Sequence, residues 1–231
     1  MMREVSLKVG LTPEHPCSYL PGQQEQLLVL LDKNRLCPQG YEELLSAGFR
    51  RSGRDIYRPH CQRCSACESL RVDVEQFVPS RSQKRIIRLN RDVQITLSQQ
   101  DKPEYFELYS RYINQRHQDG AMYPANREQY NGFLACDWLP PMFIEFWLEQ
   151  QLIGVAVTDK LEQSFSAMYT FYEPSLEHRS LGSFAILSQV TMAKEQHKKW
   201  VYLGYQVDGC QKMNYKQHFR PHQRRVDGHW R

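Results

Sequence analysis

The run Arg58-Pro59-His60-Cys61-Gln62-Arg63-Cys64-Ser65-Ala66-Cys67-Glu68-Ser69-Leu70 places three cysteines in one short loop. Thiolates at such spacing can converge on zinc or on an iron–sulfur cluster. Cys61, Cys64 and Cys67 would supply three ligands, with Cys17 or His60 as the fourth. A full zinc signature has two CxxC pairs well separated in sequence, whereas this chain has a single tight triplet. Buried thiols that pack as small hydrophobes are the competing reading. A cysteine nucleophile needs a neighbouring base and a lowered pKa, and three thiols at one place favour scaffolding over a single attacking group. Cys37, Cys136 and Cys210 have no paired spacing and are assigned to packing.

Phosphate chemistry has two candidate positions. In Arg81–Arg91 (RSQKRIIRLNR), a helix advancing ~100° per residue brings Arg81, Lys84, Arg85, Arg88 and Arg91 to one arc. No acid interrupts them, so a phosphate-binding stripe stands beside the plainer reading of a solvated face. Arg179-Ser180-Leu181-Gly182-Ser183 opens a long helix. A glycine there lets backbone N–H groups approach an anion that the helix dipole favours. It resembles the R-x-x-G-x-G/A pyrophosphate loop of GNAT acyltransferases, although Phe184 occupies its last position and weakens the case for coenzyme A. The eight histidines include no H-E-x-x-H pairing, and there is no P-loop, dinucleotide fingerprint or serine nucleophile elbow. ATP and NAD chemistry are not expected.

The elements that must position these groups follow from periodicity. The expected fold is α+β: a small N-terminal α+β domain over residues 1–100 carrying the cysteine loop, then a GNAT-like acyltransferase domain over 101–231. In the first part, Gln26–Leu31 reads as a buried strand and Pro38–Ala47 as a helix stopped at Gly48. Arg50–Arg58 reads as a basic turn, Ser69–Val78 and Val93–Leu97 as strands flanking the basic helix. In the second part, helices are expected near Glu104–Arg116 and Arg127–Ala135. Three antiparallel strands follow at Phe143–Leu148, Ile153–Leu161 and Phe165–Tyr172. A helix over Leu181–Lys198 and a strand at Trp200–Gly204 complete the order. In the tail, Lys212, Lys216 and Arg220 at four-residue spacing are expected on one helical face.

Composition bounds the class. The 231 residues are 41% hydrophobic and 24% charged, with a net charge of +4, which suits a globular chain and is too mild to announce nucleic-acid binding by itself. The start, MMREVSLKVG, has no apolar core for a secretory signal, and no apolar run approaches the ~20 residues that cross a bilayer. A cytoplasmic protein with free thiols is expected.

Several segments occur together in the order seen in aminoacyl-tRNA–protein transferases. They are Cys17-Ser18-Tyr19-Leu20, Tyr41-Glu42-Glu43-Leu44-Leu45, Gly48-Phe49-Arg50-Arg51-Ser52-Gly53, Tyr57-Arg58-Pro59-His60-Cys61 and Cys64-Ser65-Ala66-Cys67. Near the far end come Arg179-Ser180-Leu181-Gly182, Tyr202-Leu203-Gly204-Tyr205, Lys212-Met213-Asn214-Tyr215-Lys216 and Phe219-Arg220-Pro221. The chain therefore resembles that family over almost its whole length, and its C-S-Y-L form is similar to the short bacterial branch. Leu20 stands where longer eukaryotic relatives carry a second cysteine.

The resemblance implies transfer of leucine from leucyl-tRNA to proteins beginning with Asp or Glu, marking them for degradation. No cofactor is then required, and zinc or iron–sulfur at Cys17, Cys61, Cys64 and Cys67 becomes a minor alternative. It also implies an acceptor carboxylate held by cations, for which Arg50, Arg51, Arg54, Arg58, Lys212 and Lys216 are candidates. The arc of Arg81, Lys84, Arg85, Arg88 and Arg91 would hold the tRNA acceptor stem, read by shape and phosphate, and Arg179 with Gly182 its 3′ end. A leucyl pocket would draw on Phe143, Phe146, Met168 and Phe171. Free α-amines have pKa values near ~7.7–8.0, so placement of amine and ester supplies much of the catalysis; no dedicated base stands out. The alternatives are arginine as donor, an acetyl-CoA-dependent acyltransferase, and a zinc-containing RNA-binding module without catalysis.

Overall fold

Leu70 and Val72, spaced by two, turn inward and are buried because successive strand side chains point to opposite faces, and Val74, in the turn that follows, is buried with them. That alternation organises the molecule, whose computed structural model describes residues 6–231. The first part contains β1 (Val9–Leu11), β2 (His15–Pro16), β3 (Gln24–Glu25), β4 (Leu27–Leu30), α1 (Pro38–Ser46), β5 (Arg50–Ser52) and β6 (Asp55–Pro59). β2 and β3 form a short ribbon, and the other four pair antiparallel in the order β1-β4-β6-β5. Pro38 starts α1, where its fixed φ and missing N–H cost nothing. The expected basic turn over Arg50–Arg58 is instead the β5–β6 hairpin, which folds back at Gly53. That glycine has φ +57°, and a Cβ there would meet the Gly132 carbonyl oxygen at 2.2 Å.

The chain continues through β7 (Glu68–Asp73), α2 (Arg81–Leu89), β8 (Val93–Ser98), α3 (Pro103–Arg116), α4 (Arg127–Leu134), β9 (Met142–Leu148), β10 (Gln151–Lys160) and β11 (Ser164–Tyr172). It ends with α5 (Leu181–Glu195), β12 (Trp200–Gln206), β13 (His222–Val226) and β14 (His229–Trp230). These strands join in one eight-stranded sheet, ordered β14-β13-β7-β12-β11-β10-β9-β8. Every pairing is antiparallel except β11 with β12, which the α5 crossover connects in parallel. An antiparallel meander, a crossover helix and a parallel strand give the α+β, GNAT-like architecture expected from the sequence. β7 and β8 precede residue 100 yet pair with strands that follow it, so the sheet draws on both expected segments.

Two cores sandwich this sheet. On one face α5 is buried along most of its length, with Phe184, Leu187 and Val190 against Ile144, Phe146 and Phe165, and α2 leans on the outside. On the other face α3 and α4 bring Tyr105, Tyr109 and Tyr130 onto Phe143, Val155 and Phe171. A third cluster, around Tyr41, Leu45 and Ile56, joins the N-terminal strands to Leu161 and Tyr202 of the larger unit. The tail departs from expectation. Gln211–His218 is a 3-10 segment, which repeats every three residues rather than 3.6. Lys212, Lys216 and Arg220 therefore do not share a face: Lys212 and Arg220 are exposed, whereas Lys216 is buried.

Candidate active site

β11 and β12 pair only from Ser164↔Trp200 to Ser166↔Tyr202 and then diverge. The carbonyl of Ala167, first beyond the last pair, accepts instead from Arg50 Nη2 at 2.6 Å. Across the gap, Gly204 of β12 takes φ +83°, a conformation suited to glycine. A side chain beginning at Gly204 would lie 3.7 Å from Arg50 Nη2 and 3.7 Å from Lys216 Nζ. The 3-10 segment aims Lys216 back into this gap, where Nζ donates to the Tyr205 carbonyl at 2.6 Å and lies 3.1 Å from Met213 Sδ.

Two cations thus share one buried place. Arg50 is 7% exposed and Lys216 6%, and among the described residues neither has a carboxylate partner. Arg50 Nη1 is buried with no hydrogen-bond acceptor at all. Burial, and then the Arg50 charge, push the Lys216 amine down to about 7. Buried guanidinium nitrogens are ordinarily satisfied. An unfilled one beside a second buried cation describes an anion site, with geometry suited to a carboxylate.

Aromatic residues gather near this pair. Tyr112 and Tyr172 lie 4.8 Å apart by ring centroid, and Lys216 Nζ is 5.9 Å from the Tyr215 ring. The Tyr112 hydroxyl is raised by burial and further by Tyr172, Tyr169 and Tyr215, so the four phenols face one another. Gly182, in the first turn of α5, sits against Tyr172: a side chain there would start 3.4 Å from its ring. The basic helix α2 braces both ends of this region. Gln83 Nε2 donates to the His218 carbonyl at 3.1 Å, and Asn90 Nδ2 donates to the Arg179 carbonyl at 2.9 Å.

The remaining sequence candidates separate. Arg81, Lys84, Arg85 and Arg88 are exposed on α2, and Arg91 is exposed in the turn just past its end, all without ion-pair partners among the described residues. Arg179 is engaged by Asp92, at 2.8 and 2.9 Å, so its charge is already matched. Arg51 is not in the opening: its side chain is sealed from solvent and held by Asp159, because adjacent strand residues point in opposite directions. Arg54 is exposed and pairs with Asp137 at 2.6 Å, and Lys212 is exposed and pairs with Asp119 at 2.5 Å. The expected leucyl pocket is not formed by its four named residues. Phe143 and Phe146 are three apart on β9, so they enter opposite cores, and Phe171 is fully buried.

The cysteine loop opens onto a cavity of about 720 Å³. Cys17, Cys61, Cys64 and Cys67 all reach it, together with His60, Arg58 and Arg225. Burial raises the Cys67 thiol to about 12, and the other three cysteines push the same way. Among the described residues, no three His, Cys, Asp or Glu side chains converge closely enough to hold an ion. As arranged, these side chains do not form a metal ligand set. Arg225 escaped the sequence reading because it lies in a tail read for helical spacing. Its Nε is buried without an acceptor, and its guanidinium crosses Gly48.

Comparison with known proteins covers both halves of the chain. Residues 15–85 match the family described as arginine-tRNA-protein transferase, N terminus, and residues 104–226 its C terminus. A curated aspartate/glutamate leucyltransferase of Aeromonas salmonicida (strain A449) is 61% identical over all of this chain and 97% of its own length. Another, from Pseudoalteromonas atlantica, is 53% identical over 97% of this chain and 96% of its own. Among solved structures, a tandem GNAT protein from the clavulanic acid biosynthesis pathway superposes with a TM-score of 0.46 at 12% identity, covering 78% of this chain and 53% of that one. With both of its family models matched in order and relatives alike over their full span, the chain belongs to the arginine-tRNA-protein transferase family.

Proposed function

We propose that this chain is an aminoacyltransferase that moves leucine from leucyl-tRNA to the α-amine of proteins beginning with Asp or Glu, marking them for degradation. The carrying observation is the buried Arg50–Lys216 pair, which has no carboxylate partner among the described residues. An acceptor's acidic side chain would supply the missing anion, and its α-amine would then reach into the gap between β11 and β12. The relatives named aspartate/glutamate leucyltransferase support the same donor and acceptor.

In this reading the tRNA acceptor stem lies on the exposed basic face of α2, whose phosphate contacts would set affinity without reading sequence. The terminal adenosine would stack on the phenols at Tyr172 and Tyr215, since aromatic faces hold unstacked bases. The amine nitrogen attacks the ester carbonyl carbon, the bond to the ribose oxygen breaks, and a peptide bond replaces it. Holding amine and ester in attack geometry provides most of the acceleration, and the transfer needs only the two substrates and these side chains.

The test is transfer of radiolabelled leucine from leucyl-tRNA to peptides starting with Asp, Glu, Ala or Arg. Labelling confined to Asp and Glu is expected. Because the matched family is described by arginine, arginyl-tRNA is run in parallel, and transfer from it alone would overturn the choice of donor.

A further inference from the structure

We propose that Lys216 receives the proton of the acceptor's α-ammonium, and that the acceptor's own acidic side chain, docked beside Lys216 on Arg50, drives that transfer. This rests on the acceptor reading given above and assigns the proton that reading leaves without a destination. The acceptor arrives as a zwitterion at its first residue, with an anionic side chain and a protonated α-amine. Only the amine that has lost a proton can attack an ester, so a neighbouring base raises the reactive fraction at neutral pH.

The groups around Lys216 come from several elements. Arg50 on β5 faces it, Cys67 and Cys210 are the nearest thiols, and Tyr215 lies beside it on the same segment. Among the described residues its hydrogen-bond contacts are the Tyr205 carbonyl and the Met213 sulfur, neither of them an anion. With the site empty, the burial and the guanidinium disfavour a charged amine there. A carboxylate settling between Arg50 and Lys216 reverses the balance, because an opposite charge within ~4–6 Å favours the charged form. Binding therefore makes Lys216 a stronger base at the moment an ammonium is brought next to it. One proton moves from the α-nitrogen to Nζ, and the freed lone pair attacks the leucyl carbonyl. As the tetrahedral adduct collapses, Lys216 returns that proton to the departing ribose oxygen, the adduct's nitrogen releases its second proton to solvent, and the site is restored. Acidic acceptors are thus selected in the rate of the step as well as in binding.

The experiment measures single-turnover transfer from leucyl-tRNA, at saturating peptide and across pH. Wild type is compared with Lys216→Met and Lys216→Arg, each first shown folded by far-ultraviolet circular dichroism. In wild type the rate is expected to be bell-shaped in pH, since the pair must hold one proton. Lys216→Met is expected to lose about 10²- to 10⁴-fold in rate, the usual worth of acid–base catalysis, and to lack the alkaline fall. Lys216→Arg keeps the charge but cannot release a proton, so it should retain peptide affinity without recovering rate. On wild type alone, replacing a first Glu by Gln should lower the saturated rate as well as affinity. A full rate in Lys216→Arg, or variants and Gln peptides altered only in affinity, would overturn the proposal and leave Lys216 a binding cation. Failure of wild type to label any Glu peptide would instead remove the acceptor reading beneath it.

Discussion

Arg51 and Asp159 form an ion pair with both side chains closed off from solvent, tying the N-terminal hairpin to the middle of the large sheet. Arg51 Nε donates to Asp159 Oδ1 at 2.9 Å, Nη1 donates to the Gly53 carbonyl at 3.0 Å, and the Tyr41 hydroxyl donates to Asp159 Oδ2 at 3.3 Å. Removing one member leaves a buried charge without its counterion. Arg51→Met is expected to destabilise the protein by about 3–5 kcal/mol. The double change with Asp159→Asn should recover about half of that loss, because the two effects are coupled. Urea unfolding of the four-member cycle gives the answer; additive losses would contradict it.

Gly53 predicts a second sharp loss. Its positive φ and the Gly132 carbonyl 2.2 Å from any Cβ leave no room for alanine. Its N–H also donates to the Phe133 carbonyl at 2.8 Å, so the hairpin tip is pinned to α4. Gly53→Ala should cost at least about 2 kcal/mol, read as a lowered urea midpoint.

The basic face of α2 should act through salt. Arg85→Ala with Arg88→Ala is expected to weaken binding of leucyl-tRNA and of uncharged tRNA alike. The slope of log affinity against log salt should fall by about 0.9 for each lost duplex phosphate contact. Filter binding across a salt series measures both. A slope equal to that of wild type would return these residues to a solvated face.

Lys216 also predicts a pH dependence of stability. Its amine titrates near 7 when folded and near the ordinary lysine value of 10.5 when unfolded. Between those values the unfolded chain binds more protons, so stability rises with pH across that window. Below it, the full penalty of burying the charged form is present. Lys216→Met should therefore be more stable than wild type by about 1–3 kcal/mol at pH 6, with the gain shrinking as pH approaches 10. Thermal melts at four pH values suffice, and a constant difference would show that charge is not the cause.

Much of this architecture was legible in spacing. The period-two run at Leu70, Val72 and Val74 gave β7, and Arg81 to Arg91 gave a helix whose charged residues are in fact exposed together. The chain order of meander, helix and strand was enough for the GNAT-like core. What sequence could not show was destination. Arg50 and Arg51 are neighbours of the same type, yet one reaches Ala167 and the other Asp159. Only the register of β10 and β11 decides which guanidinium finds a carboxylate. Lys216 stands behind the arginines in the sequence, and four-residue spacing puts it on one helical face with Lys212, whereas a 3-10 segment turns it inward and leaves Lys212 outside. Phe143 and Phe146 failed as a pocket for a simple reason: three residues along a strand is an odd number.

The place of β7 in the large sheet has a consequence for how the protein is made. β7 lies between β12 and β13, so a strand from the first third of the chain is flanked by two from the last tenth or so of its synthesis. While a ribosome is still working, β7 has neither neighbour, and Arg50 waits without Lys216. A nascent chain therefore lacks the place where Arg50 and Lys216 meet until its final strands emerge. The same interleaving means that a nick anywhere between β7 and β12 leaves the pieces clasped together rather than released as two domains.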